Sequence, residues 1–191
     1  MISRGLLLFF ITSFFIGHQD ALADDFIINR ITNTDFGKQN VWVIKQDYQG
    51  FLWFGTDNGL FRYDGHSYKL FAYEAGNPAT LPSNRIRDIL IDNHGRMWVS
   101  TSRGGLSLFD ARTRTFETFY PINDDGSLNR IEFGDISGSS SDQIWLSPSS
   151  EGGIYTFDIP TRTFKKINIE ISDWRPETAA TAILEVSPDE I

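Results

Sequence analysis

Three tryptophans, Trp53, Trp98 and Trp145, stand in matching surroundings 45 and 47 residues apart, and a recurrence at that interval constrains the fold more than anything else in the chain. Trp53 lies in DYQGFLWFGT, Trp98 in DNHGRMWVST and Trp145 in SDQIWLS. Downstream of each come a glycine-containing turn, an apolar alternation and an aromatic–Asp pair: Tyr63-Asp64, Phe109-Asp110 and Phe157-Asp158. A second aromatic stretch follows, at Tyr68 and Phe71, Phe116 and Phe119, then Phe164 and Ile167. The variations in length fall between these landmarks, in Gly/Ser/Pro segments and in the Thr113-Arg114-Thr115 and Thr161-Arg162-Thr163 connectors, as they do when tolerant turns join fixed strands.

Within one period every local signal is β. Ile86, Ile89 and Ile91, then Met97-Trp98-Val99, then Leu106, Leu108 and Phe109, then Phe116 and Phe119 form four short apolar segments, each too short for a helix of period 3.6. Asp47-Tyr48-Gln49-Gly50 and Asp92-Asn93-His94-Gly95 put Asp first and Gly fourth in a hairpin turn; Thr56-Asp57-Asn58-Gly59 and Asp64-Gly65 begin two more. Four antiparallel strands in such a period make one blade of an all-β propeller. The spacing predicts an incomplete propeller over residues 24–191, with repeats at about 41–71, 86–119 and 133–167 and the start of a fourth at about 182–191. The segment 26–31 reads as a closure strand for a last blade, and three blades do not close a ring, so the sequence reads as a piece of a longer product. In this reading Trp53, Trp98 and Trp145 pack between blades, while Asp64, Asp110 and Asp158 cap turns.

Residues 1–23 read separately. A short n-region with Arg4, an apolar run over 5–17 and Ala21-Leu22-Ala23 have the layout of a secretory signal peptide. The run is short for a membrane span, so an uncleaved anchor is the alternative reading. Arg4 and Asp20 cancel, and residues 24–191 keep the full net charge of −8. That balance excludes a basic face for nucleic acid. The chain has no cysteine, which excludes disulfides and thiolate metal sites.

The pattern I-x-x-D-x-x-G-x-hydrophobic-W-x-G-T-x-x-G-hydrophobic-x-x-Y-D-G runs through residues 41–65 and resembles the two-component regulator propeller repeat. The second repeat keeps Asp92, Gly95, Trp98, Thr101, Gly105 and Asp110, with Ser100 where Gly55 stands in the first. The third is worn, with Leu146-Ser147-Pro148 in place of the Gly-Thr step and Ser139-Ser140-Ser141 in its turn. The resemblance implies a periplasmic, ligand-sensing, non-catalytic part of a signalling protein anchored in the inner membrane through segments outside this chain. Further blades and a histidine kinase or diguanylate cyclase output would complete it.

The residues offer no catalytic set and no metal or cofactor site. His66 and His94 sit in different turns without an HxH or HExxH arrangement, and Asp124-Asp125-Gly126 reads as a solvated turn sooner than a calcium loop. No G-x-S-x-G surrounds the serines, and no helix follows Gly104-Gly105 or Gly152-Gly153 to make a phosphate cradle. Propellers bind through loops at one end of the ring. Those loops hold Asn40, Asn84, Arg85, Asn129 and Arg130 before the inner strands, and Asp57, Asn58 and Arg103 after the Trp strands. The recurring Asn-Arg-Ile, at Asn84-Arg85-Ile86 and Asn129-Arg130-Ile131, points to a rim of arginines suited to a glycan or anionic sugar. A plain capping and packing role is the other reading of the same residues. Trp42 and Trp174, outside the repeat landmarks, are further contact candidates. The rival function is a secreted propeller enzyme or carbohydrate-binding protein such as a polysaccharide lyase, and a third is a purely structural interaction module.

Overall fold

Each Asp-x-x-Gly turn reverses the chain, because its glycine takes the positive φ that an L side chain resists: +87° at Gly50 and +79° at Gly95. The backbone N–H of Gly50 donates to the Asp47 carbonyl and that of Gly95 to the Asp92 carbonyl, each at 2.9 Å. The structure, a computed structural model, describes residues 36, 38–138, 142–150 and 152–168. The expected leader at 1–23, the expected closure segment 26–31, the serines at 139–141, Trp174 and the expected fourth-repeat start at 182–191 lie outside these residues.

Twelve strands are described. The first blade has β1 (Val41–Gln46), β2 (Leu52–Thr56), β3 (Gly59–Tyr63) and β4 (Tyr68–Phe71). The second has β5 (Ile86–Ile91), β6 (Met97–Thr101), β7 (Leu106–Asp110) and β8 (Thr115–Phe119). The third has β9 (Phe133–Gly138), β10 (Gln143–Pro148), β11 (Ile154–Asp158) and β12 (Thr163–Ile167). Every sheet is antiparallel with strands in chain order. β1 lies against β5 and β5 against β9, so the first strand of each blade is innermost. This is the incomplete propeller predicted from the spacing.

The core lies between blades. Trp53, with Leu60 and Phe71 of the first blade, packs against Ile86, Ile89, Met97, Val99 and Phe116 of the second. Trp98, with Leu106, packs against Phe133, Ile136, Ile144, Leu146 and Phe157 of the third. Ring centroids of Trp53 and Phe109 are 5.2 Å apart and those of Trp98 and Phe157 5.5 Å, both edge to face. Each indole thus faces the following blade. Trp145 departs from its counterparts: it is half-buried, where Trp53 is 2% and Trp98 1% exposed.

The inner strands share a β-bulge near their starts, which leaves Trp42, Arg87 and Gly134 out of the ladder. Equivalent residues follow from this register. Asp88 and Asp135 occupy one position on neighbouring inner strands, and Val43 holds it in the first blade. The register also corrects the Asn-Arg-Ile alignment. Ser102 N–H donates to the Arg85 carbonyl and Ser149 N–H to the Glu132 carbonyl, so Glu132 is the counterpart of Arg85. Arg130 lies two residues earlier, in the connector, and no rim of arginines forms among the described residues.

Candidate functional site

The end of the blades where inner strands begin holds the eight residues singled out from the sequence, and they divide into separate groups. Thr56 closes the β2–β3 hairpin itself: its Oγ1 donates to the Gly59 carbonyl at 2.8 Å and accepts from Asn58 N–H at 3.0 Å. That leaves the Asp57 carboxylate turned outward. It accepts from Trp42 Nε1 at 2.9 Å, Asn40 Nδ2 at 3.2 Å and Arg85 Nε at 3.0 Å. The Trp42 indole N–H, then Asn40, with Arg85 adding charge, hold Asp57 below the usual carboxylate range. Asn58 donates to Gln39 Oε1 at 2.5 Å. Asn40, Asp57 and Arg85 therefore form a self-satisfied network, and Arg85 has its charge answered within the chain.

Asn84 lies in the connector, its Oδ1 accepting from Tyr73 N–H at 2.7 Å. Asn129 is half-buried, with its backbone N–H donating to the Pro121 carbonyl at 2.8 Å. The nearby Asp124-Asp125-Gly126 is a hairpin tip in which Asp125 accepts from Ser127 N–H and Oγ at 2.9 and 2.6 Å. Among the described residues no three His, Cys, Asp or Glu side chains gather to hold a metal.

Arg103 and Arg130 are different. Gly104 and Gly105, at φ +79° and +78°, let the 130–131 backbone lie directly on the β6–β7 hairpin, where Gly105 N–H donates to the Ile131 carbonyl at 3.1 Å. A Cβ at Gly104 would collide with the Arg130 and Ile131 carbonyl oxygens. The approach brings both arginines onto one open cleft of about 550 Å³, with Tyr73, Tyr120, Asn77 and Thr118. Arg103 sits over the Tyr73 ring at 5.9 Å and Arg130 over the Tyr120 ring at 5.0 Å, with Arg130 Nη1 3.5 Å from the Tyr120 hydroxyl. Among the described residues neither guanidinium has an ion-pair partner. Glu74 also lines the cleft, where its carboxylate accepts from Asn77 Nδ2 at 2.9 Å.

Tyr73 and Tyr120 escaped the sequence reading, although each directly follows an outer-strand landmark, Phe71 and Phe119, by one or two residues. The capping aspartates lie at the opposite end. Asp64 Oδ1 accepts from Ser67 and His66 N–H at 2.7 and 2.9 Å, and these bonds lower its pKa to about 2. Asp110 accepts from Arg112 N–H and Asp158 from Thr161 N–H, each at 2.8 Å. No helix among the described residues is long and apolar enough to cross a membrane.

Comparison with known proteins adds three likenesses. The extracellular domain of BT3049 from B. thetaiotaomicron, named as a hybrid two component system, is 26% identical at a TM-score of 0.57, over 67% of this chain and 18% of that one. The extracellular domain of BT4673 from the same organism is named as a hybrid two component system in one structure and a one component system in another. It is 28% and 29% identical, with a TM-score of 0.55 in both, over 66% and 68% of this chain and 18% of each of those. This chain thus spans under a fifth of those domains. No curated protein matches it. The two component regulator propeller matches twice, at residues 35–58 and 80–103. Segments of the first and second blades thus match the two component regulator propeller, and the fold is similar to that of extracellular domains of two-component systems.

Proposed function

We propose that this chain is part of the extracytoplasmic sensor propeller of a transmembrane signalling protein of the two-component type. Its own role is to take up a ligand and leave catalysis to other domains. The likeness of its blades to the extracellular domains of two signalling systems supports this reading, as does the layout of residues 1–23 as an export signal. A ligand that prefers one arrangement of the blades and their neighbours shifts the receptor toward it, and the output follows.

The observation that carries the ligand reading is the cleft of Arg103 and Arg130. Two guanidiniums without an ion-pair partner among the described residues, each over a tyrosine ring, project from a chain of net charge −8. Planar forks of five N–H donors suit carboxylates, and aromatic rings beside them suit the C–H face of a sugar. The ligand class is an acidic oligosaccharide. Calorimetric titration with an oligogalacturonide and with its neutral galacto-oligosaccharide counterpart tests it. The acidic sugar binds, the neutral one binds at least tenfold more weakly, and the Arg103→Ala/Arg130→Ala double variant loses the difference. Equal binding of both sugars, or an unaffected double variant, overturns the assignment.

A further inference from the structure

At the opposite end of the blades the seam between the first and second sheets opens into a cavity of about 450 Å³. Its size lies within the range of small-molecule pockets. The floor is apolar, from Trp53, Met97 and Phe109, and the mouth is formed by Tyr48 and His94 of the two Asp-x-x-Gly turns. Arg62 projects from β3 into this seam.

Arg62 breaks the repeat. It pairs across the sheet with Trp53, as Leu108 pairs with Trp98 and Thr156 with Trp145, so one position holds Arg, Leu and Thr in the three blades. The Arg62 guanidinium lies 4.4 Å from the Phe51 ring centroid and 5.9 Å from that of Trp53. Its Nε is buried and has no hydrogen-bond partner among the described residues. Among the described residues no carboxylate pairs with it. Asp47 lines the same cavity, but its oxygens already accept from Gln49 N–H, Phe51 N–H and Trp53 Nε1 at 3.0, 3.0 and 2.7 Å.

The surroundings deepen the positive character. Lys69 is the cross-strand neighbour of Arg62, and Arg114 stands close to it from the second blade. Burial first, then Arg114 and Arg62, push the Lys69 ammonium below its ordinary value. Arg62, Lys69 and Arg114 stand near one another with no ion pair to any described carboxylate. A buried guanidinium N–H without an acceptor costs free energy, and an incoming anion removes that cost.

We infer that the seam between the first two blades is a second ligand site, which takes a small organic carboxylate with its charge on Arg62 and its C–H face against Met97 and Phe109. The guanidinium lies over the Phe51 ring, and a carboxylate meets a guanidinium fork through two N–H donors. The site lies at the end of the blades away from Arg103 and Arg130, and it stands whether or not the cleft binds acidic sugar.

The test is a two-dimensional NMR titration of the chain with D-glucuronate, D-glucose and inorganic phosphate, read at the indole N–H of Trp53, which floors the cavity. Glucuronate shifts this resonance with saturation, and glucose and phosphate leave it in place. Arg62→Leu, which installs the residue the second blade carries there, weakens the glucuronate response at least tenfold while the Trp98 indole resonance stays put. Arg103→Ala leaves the glucuronate shift intact. An equal response to glucose or phosphate overturns the inference, as does an unchanged response in Arg62→Leu. Should Arg62→Leu disturb the Trp98 resonance, Arg62→Lys replaces it: loss of at least threefold supports the fork, and parental binding overturns it.

Discussion

The indole N–H of Trp98 donates to Asp92 Oδ2 at 2.9 Å, and six residues apart in the preceding blade Trp53 makes the same bond to Asp47 at 2.7 Å. The residue that starts the hairpin therefore also anchors the ring that fills the seam. Asp92 Oδ1 accepts from His94 and Arg96 N–H, both at 2.9 Å, and Oδ2 also takes Arg96 Nε at 2.6 Å. Arg96 Nη2 continues to Asp142 of the third blade at 3.0 Å. One carboxylate links turn, core and neighbouring blade.

Replacing Asp92 with Ala removes all four bonds and strands the Trp98 N–H in a dry seam. Asp92 is 8% exposed, so the donors it satisfies have little water to turn to. The expected loss is about 2–4 kcal/mol of unfolding free energy, measured by urea denaturation followed through tryptophan fluorescence. A loss no greater than that of an exposed Asp110→Ala control contradicts this account.

Asp88 gives the protein a pH dependence of opposite sign to its capping aspartates. Burial, with Asp135 beside it, pushes Asp88 up to about 6 against the Ile136 and Ile89 N–H groups it accepts from. The Arg87–Glu132 ion pair lies on the same inner strands or directly before them. An unfolded carboxyl titrates near ~3.9, so between there and about 6 the folded chain holds the extra proton and stability falls as pH rises. In Asp88→Asn that decline is absent, and its melting temperature relative to the parent climbs from pH 4 to pH 7. A constant difference across this range refutes the assignment.

Gly55 and Ser100 occupy one position, yet they respond oppositely to alanine. A Cβ at Gly55 would stand 2.5 Å from Val43 Cγ1 and 2.7 Å from Ile86 Cγ2. Gly55→Ala forces the first two blades apart and costs about 1–3 kcal/mol. Ser100 faces Asp88 across the ladder and buries a hydroxyl with no partner, so Ser100→Ala is neutral or stabilising. Thermal unfolding of the two variants side by side distinguishes them.

The tryptophans are unequal in the same way. Trp98→Phe loses a buried ring edge and the bond to Asp92, while Trp145 is half-buried and its Nε1 has no partner among the described residues. Trp145→Phe is expected to cost about 1–2 kcal/mol less than Trp98→Phe. Equal losses in chemical denaturation reject that ranking.

The fold was legible because the features that fix it are local. Alternation of apolar residues sets strand faces, Asp and Gly set turns, and a period of about 46 residues repeats both. Asp64, Asp110 and Asp158 were readable as turn residues for the same reason, since each bonds within three residues of itself. What the rim residues do was not readable. Arg85 meets Asp57 across 28 positions of sequence, and the counterpart of Arg85 is Glu132 because a shared bulge sets the register. Arg103 and Arg130 come together only because two glycines let one connector lie on a hairpin. Arg62 is visible in the sequence as a departure from Leu108 and Thr156, but its unanswered charge is not. Repeats encode each blade through nearest neighbours. Which charges find partners is settled by how twisted sheets stack, and that stacking joins residues that no sequence spacing relates.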